Sequence, residues 1–170
     1  DEMELAEKLA SVVRAEQPVH EQVAWKRLRV FYGCGRIGQV IEDRLRRAQK
    51  AAARDGLLAY FEDSIGSASG GREFFCLPGV KTARPRGKDL SGGRTRISEI
   101  SFVELGAGVE AIVGGCFGIT VDDAIVAASR AFGFARTGED IRGRLSTTID
   151  WLLRSGRLSE KDGKLFASRS

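Results

Sequence analysis

The chain holds one histidine, three cysteines, three prolines and one methionine in 170 residues. These scarcities exclude several chemistries. His20 alone could serve as an imidazole base, and a lone histidine beside a turn is read as solvated or packed. Cys34, Cys76 and Cys116 are widely separated and form no C-x-x-C pair. Zinc sites need clustered nitrogen and sulfur ligands, so no metal is expected. An odd number of isolated thiols suits a reducing compartment, here read as the cytoplasm, better than a disulfide framework. No apolar run approaches the roughly 18 residues of a membrane span. The acidic start, Asp1-Glu2-Met3-Glu4, resembles neither a signal nor a transit peptide, and the chain is read as part of a longer protein. The carboxylate pairs Glu42-Asp43, Asp122-Asp123 and Glu139-Asp140 are sequence neighbours, which diverge on a helix. No nucleophile has an evident base. The expectation is therefore a non-catalytic segment without a cofactor.

Enough apolar residues are present, 42% against 29% charged, to bury a core. The net charge of +4 is uneven. Residues 1–96 hold 18 basic and 13 acidic side chains, whereas residues 97–170 hold 9 and 10. A basic first part points to a polyanion or an acidic partner.

The chain also repeats itself. A shift of 100 positions lays residues 4–58 on 104–158 without a gap and gives 13 identities. They are Glu4/Glu104, Leu5/Leu105, Val13/Val113, Ala24/Ala124, Gly33/Gly133, Arg36/Arg136, Gly38/Gly138, Ile41/Ile141, Arg44/Arg144, Leu45/Leu145, Arg54/Arg154, Gly56/Gly156 and Leu58/Leu158. A fixed offset of this kind marks a duplicated structural unit.

Each copy reads as three helices and a hairpin. In the first, Leu5, Leu9, Val12 and Val13 have helical spacing, and Gln17-Pro18 stops that helix. A second helix carries Val23, Leu28 and Phe31 and ends at Gly33. A third carries Ile37, Val40, Ile41, Leu45, Ala48 and Ala52 on one face and ends near Gly56. Leu57–Phe61 and Glu73–Leu77 read as strands, with a mobile Gly/Ser loop from Ser64 to Gly71 between them. In the second copy, Phe102 to Val113 forms the first helix. Thr120 and Thr137 are N-cap candidates for the next two. Lys161-Asp162-Gly163 is a hairpin turn. The predicted fold is α+β and mainly helical: tandem winged helix-turn-helix repeats at 1–80 and 99–170, joined by a basic Gly-rich linker at 81–98.

Gly33-Cys34-Gly35-Arg36-Ile37-Gly38 matches the dinucleotide motif G-x-G-x-x-G. The run before it has helical spacing, however, and the second copy reads Gly133-Phe134-Ala135-Arg136-Thr137-Gly138. Only G-x-x-R-x-G persists, which points to a shared turn. A dinucleotide site is kept as a third reading.

In a winged helix the third helix commonly enters the major groove and the wing touches the backbone. The first copy's third helix carries Arg46, Lys50 and Arg54 at i, i+4 and i+8, with Arg47 beside them. Arg36 recurs at the turn before it, as a phosphate contact or as a cap for the preceding helix. Arg44 and Arg144 sit nearer the apolar face. The linker adds Arg84, Arg86 and Lys88. The expected nucleic-acid set is thus Arg36, Arg46, Arg47, Lys50, Arg54, Arg84, Arg86 and Lys88, with DNA ahead of RNA. Trp25 and Trp151 are read as core residues or partner anchors.

Glu16-Gln17-Pro18-Val19-His20-Glu21, Gly33 to Gly38, Arg94-Thr95-Arg96-Ile97-Ser98-Glu99-Ile100 leading to Glu104-Leu105, and Gly133 to Gly138 leading to Gly156-Arg157-Leu158 occur in this order. In these motifs the chain resembles a C-terminal domain of unknown function of large bacterial proteins. Those proteins carry a superfamily-1 helicase core and often a Vsr-like endonuclease domain. The resemblance implies a nucleic-acid-processing parent whose catalytic residues lie outside this segment. Helicase and nuclease domains of that parent are then partners. The alternative function is a protein-interaction module docking onto them.

Overall fold

Both copies of the repeat fold as three helices followed by paired strands, and five of the six helix boundaries keep the 100-residue offset, α4 ending two residues short of it. The computed structural model describes residues 1–36, 38–66, 68–69, 71–87 and 94–168. The first copy holds α1 (Glu2–Glu16), α2 (Glu21–Phe31) and α3 (Gln39–Arg54). The second holds α4 (Phe102–Gly114), α5 (Val121–Ala131) and α6 (Glu139–Arg154). The architecture is α+β, mainly helical, with small antiparallel sheets.

Local chemistry explains these boundaries. Asp1, His20, Ser101 and Thr120 each accept an N–H in the first turn of the helix that follows, which satisfies donors that have no partner inside the helix. His20 accepts from Gln22 N–H through Nδ1, and its Nε2 lies 3.2 Å from Glu73 Oε2. The only histidine is thus a packed cap. Gly33, Gly56, Gly133 and Gly156 have φ of +64°, +71°, +89° and +73°. They close helices in the left-handed conformation that a Cβ disfavours, so the recurring glycines of the motif belong to a turn.

The structure departs from the sequence reading in three helical details. Gly138, not Thr137, is the N-cap of α6, and no side chain bonds there; Glu139 and Asp140 supply favourable charge instead. Val40 is 74% exposed and Phe31 63%. The buried stripe of α3 runs through Leu45, Ala48, Gln49 and Ala52, and Val40 points about 130° away from its centre. Phe31 stacks edge-on against Tyr32 beneath Lys8. Ile37, expected on the apolar face, lies outside the described residues.

Strands β1 (Val19–His20), β2 (Ala59–Tyr60) and β5 (Phe74–Cys76) form an antiparallel sheet in the order β1-β5-β2. In the second copy β6 (Leu158–Lys161) pairs with β7 (Lys164–Ala167) through the Asp162-Gly163 turn, and Ile119 bridges Leu165 as Val19 bridges Phe75. Both turn residues have positive φ, the backbone of a tight type I′ hairpin.

The first hairpin is ten residues longer: Ala59 pairs with Cys76, whereas Ser159 pairs with Phe166. The insertion forms β3 (Ser64–Ile65) and β4 (Ala68–Ser69). Its composition predicts a mobile loop, yet Ile65 is only 2% exposed and belongs to the core of the second copy. The aliphatic side chain drives the docking. Asp63 accepts the Val103 N–H at 3.2 Å, in the first turn of α4. A carboxylate at a helix N-terminus meets both free N–H groups and the positive end of the dipole. Burial raises the Asp63 pKa, opposed by hydrogen bonds from the Phe102 and Val103 N–H groups and by Arg144. Gly66 lies beside Trp151. That tryptophan packs against the core and is covered by the first copy's hairpin.

The 81–98 segment is anchored at Arg86, Arg94 and Ile97, although most of its described residues are exposed. Glu104 on α4 has 0% exposure. Its Oε1 accepts from Arg94 Nη1 at 2.7 Å and from the Arg86 backbone N–H at 3.0 Å, and its Oε2 lies 3.2 Å from Arg86 Nη2. Arg94 Nη2 also donates to the carbonyls of Arg86 and Gly87, and Arg86 Nη2 donates to Pro18 O at 2.9 Å. One buried carboxylate thereby joins the segment to both copies. Ion pairing and hydrogen bonding together offset the cost of desolvating it.

Candidate nucleic-acid interface

Helix α3 turns Leu45, Ala48 and Ala52 into the first core, where Leu9 and Val13 of α1 meet them. That packing leaves Arg44, Arg46, Arg47, Lys50 and Arg54 at the surface. They are not equally available. Arg46 Nη2 donates to Glu42 Oε1 at 2.7 Å, and its guanidinium lies 5.1 Å from the Trp25 ring. Arg54 is bound to Asp55 at 2.8 Å. Arg47 and Lys50 have no ion pair or side-chain hydrogen bond among the described residues. They lie three apart on one face and form the freest cationic pair of the helix. Arg46 and Arg54 flank them in surface pairs of the kind that contribute little to stability.

Arg36 is exposed in the turn between α2 and α3, and among the described residues neither it nor Arg136 bonds a helix-end carbonyl. Neither arginine therefore caps the preceding helix, which leaves Arg36 beside the start of α3. Arg84 is exposed, with no ion pair among the described residues. Arg86 does not join this face: its guanidinium is held by Glu104 and Pro18 O. Lys88 lies outside the described residues. Arg46, Arg47, Lys50 and Arg54 thus lie along α3, Arg36 stands in the turn before it, and Arg86 is withdrawn into a structural joint.

Three features escape a reading of the sequence. Val30, Phe31 and Tyr32 before the α2–α3 turn and Val40 after it form an exposed apolar set. Arg72 lies 6.0 Å from the ring of half-exposed Tyr60, at the base of the first hairpin. A groove also opens between α1, α2 and α3. In the second copy the corresponding helix face is neutral: Arg142 pairs with Asp122 at 2.8 Å, and Glu139, Asp140 and Asp150 offset Arg154. Arg144 is held inside, donating to Ile100 O at 2.8 Å over the Phe102 ring. Burial lowers its pKa, opposed by Asp63.

The run before G-x-G-x-x-G is the end of helix α2, and every strand pair among the described residues is antiparallel. A Rossmann crevice needs parallel strands, so the motif lacks that setting here. Among the described residues no three His, Cys, Asp or Glu side chains converge as metal ligands, and no helix is long and apolar enough to cross a membrane. No family model, curated protein or solved structure matches the chain.

Proposed function

We propose that the chain is a tandem winged-helix module that holds nucleic acid without chemistry of its own, DNA ahead of RNA, through the third helix of its first copy. The observation that carries this reading is the row of surface cations on α3, with Arg47 and Lys50 free of internal partners among the described residues. Each copy has a short strand segment after the first helix that pairs with the hairpin, as a winged helix requires. The first hairpin is occupied by its packing on the second copy, so phosphate contacts fall mainly to α3 and Arg36, with Arg84 as an outlying contact. The motif resemblance would imply a bacterial parent with helicase and nuclease domains, and we place that parent in the cytoplasm. The free thiols of Cys34, Cys76 and Cys116 suit that compartment.

The test is an anisotropy titration of labelled duplex and single strand at several salt concentrations. Binding is expected to weaken steeply with salt. Arg47→Glu/Lys50→Glu should lower the log–log salt slope by about 2, close to one unit for each phosphate no longer neutralised. Folded protein that binds neither strand form at low salt would overturn the reading.

A second reading, a protein-interaction module, is favoured by the exposed set of Val30, Phe31, Tyr32 and Val40 flanking one turn, because clustered exposed apolar residues mark partner surfaces. Phe31→Asp should leave nucleic-acid affinity unchanged if this set serves a protein partner. Loss of that affinity would place the set in the nucleic-acid interface instead.

A further inference from the structure

Tyr60 ends β2 with its side chain 40% exposed. Two packed residues fix the ring. Its strand partner Phe75, wholly buried, lies 5.5 Å away at a tilt of 57°. Gln49, buried on α3, donates from Nε2 to the Tyr60 hydroxyl at 3.5 Å. That contact sets the ring at the edge of the helix that carries Arg46, Lys50 and Arg54. Over the ring stands Arg72, its guanidinium carbon 6.0 Å from the centroid. Arg72 is exposed and makes no ion pair or side-chain hydrogen bond among the described residues. Tyr60, Glu62, Ser64 and Arg72 border a cavity of about 440 Å³, a volume in the range of small-ligand sites.

The spacing suits a flat ring. Two van der Waals contacts of about 3.5 Å each need roughly 7 Å. Arg72 has to lift by about 1 Å to provide that gap, which an exposed, unpaired side chain does by a rotamer change. A nucleobase held between an aromatic ring and a guanidinium gains from both faces. Glu62, exposed at the same cavity, is an acceptor for the amino group of a base. It also repels phosphate, which leaves the backbone to Arg72 and the α3 cations. The second copy lacks every part. Ile149 stands for Gln49 and Glu160 for Tyr60. Asp162, three residues before Leu165 as Arg72 is three before Phe75, carries the opposite charge. The stacking pair and the unpaired cations of α3 therefore occur in the same copy, which favours nucleic acid over protein as the occupant.

We propose that Tyr60 and Arg72 hold one unpaired nucleobase, so that the module binds strands carrying unpaired bases in preference to continuous duplex. The proposal rests on the nucleic-acid reading of α3 and narrows its ligand. Arg47 and Lys50 take phosphates whatever the sequence, whereas the seat at the hairpin needs a base outside the stack. A base within a duplex reaches Tyr60 only at the cost of unstacking and unpairing. The docking of Asp63 and Ile65 on the second copy holds the seat in place.

The test compares three labelled DNAs by anisotropy, using the whole chain. They are a blunt duplex, the same duplex with a short single-stranded tail, and that tailed duplex with abasic residues in the tail. Both tails carry the same phosphates, so a difference between them reports the bases. The normal tail should bind about tenfold more tightly than the abasic one, the effect of one stacked base. Tyr60→Leu, which keeps an apolar side chain against Phe75, should abolish that advantage. It should leave blunt-duplex affinity and the salt slope unchanged, because it removes no charge. Tyr60→Phe should retain most of the advantage. Arg72→Ala should reduce it about threefold. Arg47→Glu/Lys50→Glu should weaken all three DNAs and keep the ratio between the tails. Equal affinity for the two tails would overturn the proposal and leave the reading of α3 standing. So would a Tyr60→Leu loss that is as large for the blunt duplex. Indifference of all three DNAs to Tyr60→Leu would assign the ring to a protein surface, which also overturns it. Folded protein that binds none of the three at low salt would overturn both readings.

Discussion

The two copies share a scaffold and differ in what covers it. In the second, the face of α4 and α6 is closed by Arg94, Ile97 and Ile100, the Trp151 edge is covered by the first copy's hairpin, and the α6 surface charges nearly cancel. In the first, Val30, Phe31, Tyr32 and Val40 are exposed, and α3 carries Arg47 and Lys50 without ion pairs among the described residues. Identical residues therefore have different duties. Glu104 is a buried joint and Glu4 a surface carboxylate. Arg144 is a clasp on the Ile100 carbonyl, whereas Arg44 is exposed without a hydrogen bond among the described residues. The lesson is that a duplicated core can carry different surface charge and different side-chain pairings in its two copies.

The sharpest test applies one substitution to both copies. Glu104→Gln leaves Arg94, 5% exposed, without its counter-charge. Breaking a buried pair from one side costs about 3–5 kcal/mol. Glu4→Gln should change stability by less than about 0.5 kcal/mol, as exposed substitutions do. Urea denaturation of both variants measures the contrast. Equal losses would mean that the two carboxylates occupy equivalent surroundings, and the comparison would break.

Next in size is the docking of the hairpin. Ile65→Ala removes a buried aliphatic group that belongs to the first copy in sequence and to the second core in space, at about 2–4 kcal/mol. Hydrogen exchange should show the loss in α4 and α6 before α1 and α3. Protection lost first in α1 would contradict the assignment of Ile65 to the second core. Gly108→Ala follows. A Cβ there would stand 2.5 Å from Phe132 Cζ, and such overpacking costs about 1–3 kcal/mol. At the matching position Lys8→Ala should be nearly neutral, because a side chain already stands there.

Much of this architecture is legible in the chain. The 100-residue offset locates six helices and two hairpins, because glycines that must adopt positive φ recur wherever the turn recurs. The α3 cations are legible from i, i+4 spacing. What escapes is tertiary. Ile65 looks like a passenger in a Gly/Ser run, although one aliphatic residue among small polar ones is the signal for docking. Arg86 and Arg94 look like members of a basic tether, because nothing local reveals that both converge on Glu104, 18 and 10 residues further on. The exchange of Gly108 for Lys8 is visible as a difference, but its effect on the aromatic at 32 and 132 needs the packed pair of helices. The clasp around Arg94 and Ile100 involves two of the identities, Glu4/Glu104 and Arg44/Arg144. Without the fold, they cannot be separated from surface charges.

The smallest expected effect concerns the link that only one copy makes. Lys26 of α2 pairs with Glu99 ahead of α4 at 3.0 Å, and its counterpart Val126 has no charge to offer. Burial alone would raise the Glu99 pKa. Hydrogen bonds from the Thr95 N–H, the Lys26 ammonium and the Arg96 N–H outweigh it, so the carboxyl titrates below the ordinary glutamate range. A folded-state pKa below the unfolded one makes the ionised carboxylate stabilising. That stabilisation is fully present above the unfolded value, about 4.3, and is lost as pH falls through the folded value. The melting temperature of the wild type should therefore drop on acidification below about pH 4.3, and Glu99→Gln should show a shallower drop from a lower plateau. Lys26→Met should reproduce part of that change, because the two N–H donors remain. If Glu99→Gln left the acid limb unchanged, the carboxylate would not be what ties α2 to the start of the second copy.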